Sequence, residues 1–201
     1  LAPGVWTTAF VLDPNGRIEH VLGGVDDGET FWATTEPGHA EALLAWLRRM
    51  VFASRVELAD VSATHAMVIA GGPRICARDE LDAVLGAERA GTWASEALRI
   101  AAGEPRVFLD TDERTIPNEV AMPDGLALGS GVHLQKGCYR GQETVARVHT
   151  LGRPPRRLTL LHFDGSDERL PEVGADVLLD GKAVGRMGTS AIHYELGPIG
   201  L

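Results

Sequence analysis

The residues best equipped for chemistry lie between His133 and Arg157, in the run HLQKGCYRGQETVARVHTLGRPPRR. Cys138 stands there between Gly137 and Tyr139, with Lys136 and Arg140 one step further out and Gln142 and Glu143 just behind Gly141. A thiol reacts as its thiolate, and cations or a helix N-terminus nearby favour that form. The residue types from Gly141 to Val148 suit the start of a helix, with Glu143 in the first turn where the positive end of the macrodipole favours a carboxylate. Cys138 then precedes a helix N-terminus and has two cationic neighbours, which makes it a candidate functional thiol. The competing reading is a cysteine used as a small buried apolar residue. Gly137 and Gly141 serve backbone geometry, through positive φ or close approach.

Spacing tests the familiar thiol and phosphate chemistries. A phosphatase-type loop needs an arginine six positions after its cysteine, where this chain has Thr144. No Gly-Lys-Ser/Thr ends a glycine-rich turn, which excludes a P-loop. Cys76 and Cys138 lie far apart without Cys-x-x-Cys or Cys/His spacing, so neither a disulfide framework nor a zinc site is expected, and the thiols are expected to be reduced. Two cysteines are also too few for a cluster site within one chain. Of the seven histidines, His65 and His162 fall in strand-like runs and read as structural. His133 and His149 flank the cysteine motif and are better placed for a role.

The chain has 201 residues, 44% of them hydrophobic, enough for one large domain or two small ones. No run approaches the roughly 20 apolar residues of a membrane span, and the start carries no basic n-region, so a cytoplasmic location and no membrane partner are expected. The net charge of −9 argues against a general nucleic-acid binder. Between Lys136 and Arg157, however, six basic residues (Lys136, Arg140, Arg147, Arg153, Arg156, Arg157) face one acidic residue, Glu143. This basic island reads either as a solvated face paired with the chain's own carboxylates or as a pocket for a small anion.

Several elements must position that island. VWTTAFVLD, the turn DPNGR and IEHVL predict a β-hairpin over residues 5–22, followed by a strand at ETFWATT. A helix is expected from near Thr35, with Pro37 in its first turn and Ala40, Leu43, Leu44, Leu47, Met50 and Val51 on one face. RVELADVS and HAMVIAG predict two strands, and residues 79–85 and 92–102 two helices, the second stopped by Gly103 and Pro105. The stretch from Pro105 to Leu134, rich in proline and glycine, reads mostly as connection. After Arg157, short apolar runs divided by Asp-Gly and Gly turns predict antiparallel strands of a small barrel. The expected boundary is at residues 154 and 155, giving an α/β region over 1–153, incomplete at its start, and a barrel region over 154–201, also incomplete.

KGCYRGQETVAR resembles the Lys-Gly-Cys-Tyr/Phe-x-Gly-Gln-Glu signature of the folate-binding YgfZ-type proteins, relatives of the glycine-cleavage T-protein, an aminomethyltransferase. ALRIAAGEPRVFLDTDERTIPNE is similar to the Leu-Arg-x-x-x-Gly-x-Pro segment, ending in Pro-x-Glu, that precedes the signature, and FVLDPNGRIEH to the family's early Gly-Arg turn. The resemblance implies an α+β fold of layered α/β domains around a central channel with a C-terminal antiparallel β-barrel. It implies tetrahydrofolate or a one-carbon derivative as ligand, and a role in assembly or repair of iron-sulfur enzymes, so that a client enzyme or assembly protein is the expected partner of a monomeric protein. Carried over by position, Lys136, Cys138, Tyr139, Gly141, Gln142 and Glu143 are the signature residues and Arg147 extends it. Arg99 matches an arginine that approaches folate, and Glu119 the Pro-x-Glu carboxylate. Arg99 also reads as a surface arginine.

A pteridine needs a flat slot with a carboxylate or amide, and its glutamate tail needs cations; Glu119, Gln142 or Glu143 suit the former, and Lys136, Arg99 and Arg140 the latter. The alternative activity is a folate-dependent aminomethyltransferase. Cys138 departs from the T-protein pattern, and the N-terminal portion that carries the transferase's acidic residue is absent from this sequence. A third reading is an interaction module whose basic island docks an acidic partner protein.

Overall fold

The computed structural model describes residues 2–120, 131–133, 136–166 and 169–201. Along the chain run β1 (Thr7–Leu12), β2 (Ile18–Asp26), β3 (Phe31–Thr34), α1 (Ala40–Met50), β4 (His65–Ile69), β5 (Pro73–Ala77), α2 (Leu81–Leu85), α3 (Thr92–Ala101), α4 (Pro117–Val120) and α5 (Gln142–Leu151). The last strands are β6 (Leu161–His162), β7 (Asp176–Leu179), β8 (Lys182–Arg186), β9 (Ser190–His193) and β10 (Gly197–Gly200). The fold is mixed α+β with antiparallel pairings. Two compact units divide it: residues 1–8 with 20–89, and residues 9–19 with 90–201.

In the first unit β2 and β3 pair antiparallel from Gly23↔Thr34 to Asp26↔Phe31, and β4 pairs with β5. A side chain at Gly24 would run into the Trp32 carbonyl, so this crossing needs glycine. The Trp32 indole N–H donates to Asp27 Oδ2 at 2.7 Å, and its ring lies 4.8 Å from that of His65. The helix expected from Thr35 begins only at Ala40. Gly38 has φ +85, and the His39 N–H closes a turn onto the Glu36 carbonyl, so Pro37 sits in the turn before the helix. RVELADVS is not a strand. The segment is almost wholly exposed and ends in a turn where Asp60 accepts the Ser62 N–H, and a β-pattern without a neighbour to cover it forms no ladder.

In the second unit α3 packs on the sheet of order β6-β10-β9. Ala97 and Ile100 meet Ala191, Ile199 and Leu201, with Leu158 and Leu160 against them. Ile100 and Ile199 are fully buried, each contributing about 1.5–3 kcal/mol relative to exposure. Residues 157–163, expected as one strand, supply only the two ladder residues of β6, although Leu158 and Leu160 still face the core. The reason lies upstream: the Leu158 N–H donates to the Glu119 carbonyl at 2.8 Å rather than to a strand. β7 and β8 form a separate hairpin around Asp180 and Gly181, both with positive φ as a two-residue Asp-Gly turn requires. The described strands thus form separate sheets and do not close a barrel.

Candidate functional site

The site is built on the hairpin turn after β1. Asp13 Oδ1 accepts the N–H groups of Asn15 at 2.7 Å and Arg17 at 2.8 Å, and the Gly16 N–H returns to the Asp13 carbonyl at 3.0 Å. Slight burial pushes the Asp13 carboxyl pKa up, but these hydrogen bonds outweigh it and leave the group below its ordinary range. Gly16 takes φ +82, and a Cβ on it would come within 2.8 Å of Thr144 Cβ. Gly141, the N-cap of α5, takes φ +79, and its own Cβ would come within 2.6 Å of both the Asp13 carbonyl oxygen and Gly16 Cα. Two glycines therefore let the start of α5 seat backbone to backbone on the turn. Arg140 fastens the same contact through Glu19 at 2.9 Å, and the Ile18 N–H donates to the Thr115 carbonyl at 2.9 Å. The Gly-Arg turn and the cysteine signature, read separately in the sequence, are one structural unit.

From this anchor the loop before α5 takes its form. The Tyr139 N–H donates to Gln142 Oε1 at 3.0 Å, and the Gln142 N–H to the Tyr139 carbonyl at 3.3 Å, which closes a short reciprocal ring. The Gln142 side-chain oxygen therefore braces the loop that leads into α5. Tyr139 is half-buried, which raises its phenol pKa, and Lys136 Nζ lies 5.3 Å from its ring centroid, within cation–π range. Cys138 is exposed, against the buried-cysteine reading, and Cys76 in the first unit is buried; both are free thiols. Glu143 and Arg147 are exposed and form no ion pair among the described residues. The loop thus offers a thiol, an aromatic ring beneath an ammonium, a carboxylate and a guanidinium. Such a set can bind an anion or place a thiolate before a partner.

Arg99 and Glu119 have other work. Gly103, at φ +69, turns the chain after α3, and Arg99 Nη1 donates to the Glu104 carbonyl in that turn. Arg99 also reaches Asp110 Oδ2 at 3.1 Å, Glu96 Oε2 at 2.6 Å and Thr189 Oγ1 at 2.6 Å, while the Thr189 hydroxyl donates to Asp110 Oδ1 at 2.7 Å. Its side chain is 13% exposed and that of Asp110 fully buried. The surface reading of Arg99 is therefore incorrect: it ties α3, the following loop and the β9 entry together. Burial pushes the Glu96 pKa up, but Arg99 and Arg106 outweigh it and hold the group below its usual range.

Glu119 is 4% exposed, and both its oxygens are taken: Oε1 by Arg156 Nε at 3.0 Å, and Oε2 by Arg156 Nη2 at 2.9 Å and the Ile116 N–H at 3.2 Å. Arg156 also holds Asp112 Oδ2 at 2.6 Å, and this bond drives the Asp112 pKa far below the carboxylate range and raises that of Arg156. In the sequence Arg156 stands only as one cation of the island. Its partners lie 44 and 37 residues away, so no local pattern announces the clamp.

The structure therefore places Lys136, Cys138 and Tyr139 on one loop and Gln142, Glu143 and Arg147 on the helix that follows it, and uses Arg99 and Glu119 in internal ion pairs. Two clefts elsewhere, of about 420 and 350 Å³, are lined by other residues, among them His162, Arg169 and Pro198 in one and Trp6, Arg74 and Cys76 in the other. Among the described residues no three His, Cys, Asp or Glu side chains converge as metal ligands would. No described helix is long and apolar enough to cross a membrane.

No protein-family model matches the chain. Over 106 residues, 51% of the chain, it is 41% identical to the tRNA-modifying protein YgfZ of Escherichia coli strain SMS-3-5, and equally to that of Escherichia coli O157:H7. Over 120 residues, 57% of the chain, it is 35% identical to a chloroplastic protein of Arabidopsis thaliana provisionally named a transferase. The matched segments span 31% and 26% of those relatives, so the chain covers about a third of their length or less.

Proposed function

The chain is a relative of the YgfZ-type proteins over about half its length, and on that premise we propose that it is the signature-bearing part of a folate-binding accessory protein for iron-sulfur enzymes, with Cys138 as its functional thiol. The observation that carries the reading is the seating of Gly141 on Gly16 with Cys138 left exposed beside it. A cysteine used for packing needs cover, whereas this one stands in solvent on a loop whose backbone is held from the hairpin turn.

The residues present fit a folate in kind. Tyr139 with Lys136 over its ring supports a flat ring system and an anion, Glu143 supplies a free carboxylate for ring N–H groups, and Arg147 a cation for a glutamate tail. Gln142, Arg99 and Glu119 serve in this reading by positioning the loop and its neighbours, through the Gln142 amide oxygen, the Arg99 Nη atoms and both Glu119 oxygens, which are engaged internally. Tetrahydrofolate would supply a carrier for a one-carbon unit. The layered arrangement around a channel, and a cytoplasmic monomer, belong to the same proposal. The Escherichia coli relatives are named for tRNA modification, and an iron-sulfur enzyme that modifies tRNA is the client class that joins the two roles. The name of the plant relative favours a second reading, a folate-dependent transferase.

Isothermal titration of the full-length protein with 5-formyltetrahydrofolate tests the ligand, and heat-silent mixing in both buffer and salt series would remove it. Cys138→Ser is expected to leave folate binding intact and to abolish support of an iron-sulfur client; undiminished client activity would make the thiol dispensable. Turnover of an aminomethyl donor by the full-length protein would favour the transferase.

A further inference from the structure

We infer that the outer face of α5 and the segment after it, carrying Arg147, Leu151, Arg153 and Arg157, is a docking surface for an acidic segment of a partner protein. The inner face of α5 is occupied. Val145 is buried, Thr144 meets Gly16, and the Val145 carbonyl receives the Asn118 amide at 3.4 Å. Residues 143, 146, 147, 150 and 151 follow the i, i+3, i+4 rhythm of the opposite face, and all five are exposed. Leu151, 70% exposed, is a largely uncovered apolar side chain of that face.

Beyond the helix, Leu158 and Leu160 turn to the core, and Arg157 and Thr159, which alternate with them, are exposed, as an extended chain with period two requires. The chain's own carboxylates pair with two arginines of the basic island, Arg140 with Glu19 and Arg156 with Asp112 and Glu119. Lys136, Arg147, Arg153 and Arg157 remain exposed and without an ion pair among the described residues, against the single free carboxylate of Glu143. Asp112 and Glu119 outnumber their one arginine, but Glu119 is buried, so little of that surplus reaches solvent. The result is a local positive face on a chain of net charge −9.

Charge complementarity selects the partner. A nucleic acid presents phosphates over a long track, which a chain of net charge −9 disfavours, and residues 143–157 include no Phe, Tyr or Trp for a base to stack on. A short acidic protein segment with an apolar residue fits the exposed Arg147, Arg153 and Arg157 beside the exposed Leu151, with electrostatics setting the encounter and Leu151 adding desolvated contact. The inference goes beyond the folate reading and needs neither folate nor the thiol.

The test uses the full-length protein and a fluorescein-labelled peptide of about twelve alternating Glu and Leu residues, read by anisotropy at about 50 and about 300 mM salt. Binding is expected at low salt, weakened by the salt step, and weakened at least about tenfold in Arg153→Glu/Arg157→Glu. Arg153→Gln/Arg157→Gln gives an intermediate loss, and Leu151→Ser a loss with an unchanged salt slope. Arg48→Glu/Arg49→Glu on α1, two exposed arginines of the first unit, leaves binding as it was. No binding at low salt, equal losses in the α1 variant, or tighter and arginine-dependent binding of an oligouridylate of equal charge would each overturn the inference. Folate titration of the same Arg153/Arg157 variants keeps the two readings apart, because folate binding is expected to survive them.

Discussion

Replacing Gly141 by alanine tests the seating of the signature on the hairpin turn. Alanine at φ +79 meets the left-handed penalty of about 1 kcal/mol. Its Cβ would also stand 2.6 Å from the Asp13 carbonyl oxygen and from Gly16 Cα, both backbone, so relief requires moving the turn or the helix start. Forced overpacking of this kind costs about 1–3 kcal/mol, which brings the total to about 2–4 kcal/mol. Gly152 is the internal control. It ends the same helix at φ +70 with nothing within 4 Å of its Cβ position, so Gly152→Ala carries only the backbone penalty of about 1 kcal/mol. Hydrogen exchange at the Val145 and Val148 amides reads the local opening of α5 directly. Exchange is expected to quicken about 30- to 900-fold in Gly141→Ala and about fivefold in Gly152→Ala. Equal effects of the two substitutions would refute the close approach and leave only the left-handed φ.

Three other measurements follow from the same coordinates. Arg156→Met removes both guanidinium bonds to Asp112 and strands buried Glu119, an expected loss of about 2–3 kcal/mol after allowance for the half-exposed guanidinium. Since the folded Asp112 carboxyl titrates below its unfolded value, its stabilisation is present above about pH 4 and is lost as the pH falls; acid unfolding should be shallower in Arg156→Met, and an unchanged pH slope would contradict the clamp. His193 is buried, and its Nδ1 accepts the N–H groups of Glu195 at 3.1 Å and Leu196 at 3.2 Å, so its proton rests on Nε2. His193→Asn can supply an oxygen acceptor to that turn and is expected to melt higher than His193→Ala, a difference of about 1 kcal/mol. Iodoacetamide should label one thiol in the folded protein, Cys138, and two in denaturant, and mass spectrometry that finds Cys76 labelled first would reverse the assigned exposures.

Local patterns carried much of the architecture. Asp13, Asn15 and Gly16 announced a hairpin turn, Asp180 and Gly181 another, and the apolar rhythm with Gly103 behind it bounded α3. Where the reading missed, a neighbour was decisive: RVELADVS has strand-forming residues but nothing pairs with it, and residues 157–160 spend a ladder N–H on the Glu119 carbonyl. Gly38 is a local signal for the late start of α1, since its left-handed φ holds the helix off until Ala40.

By itself the sequence determined that Cys138 lies in a glycine-bounded loop before a helix, inside a basic island, because capping, turn chemistry and periodicity act over a few residues. Only the tertiary structure decided which island charges are free. Arg140 finds Glu19 across 121 residues, Arg156 finds Glu119 across 37, and Arg99 finds Thr189 across 90. Those partners meet through chain folding that leaves no periodic trace in the sequence. Burial then raises the cost of leaving Arg99, Asp110 and Glu119 unpaired, so those charges are satisfied within the fold, and Lys136, Arg147, Arg153 and Arg157 are left facing solvent without an ion pair among the described residues.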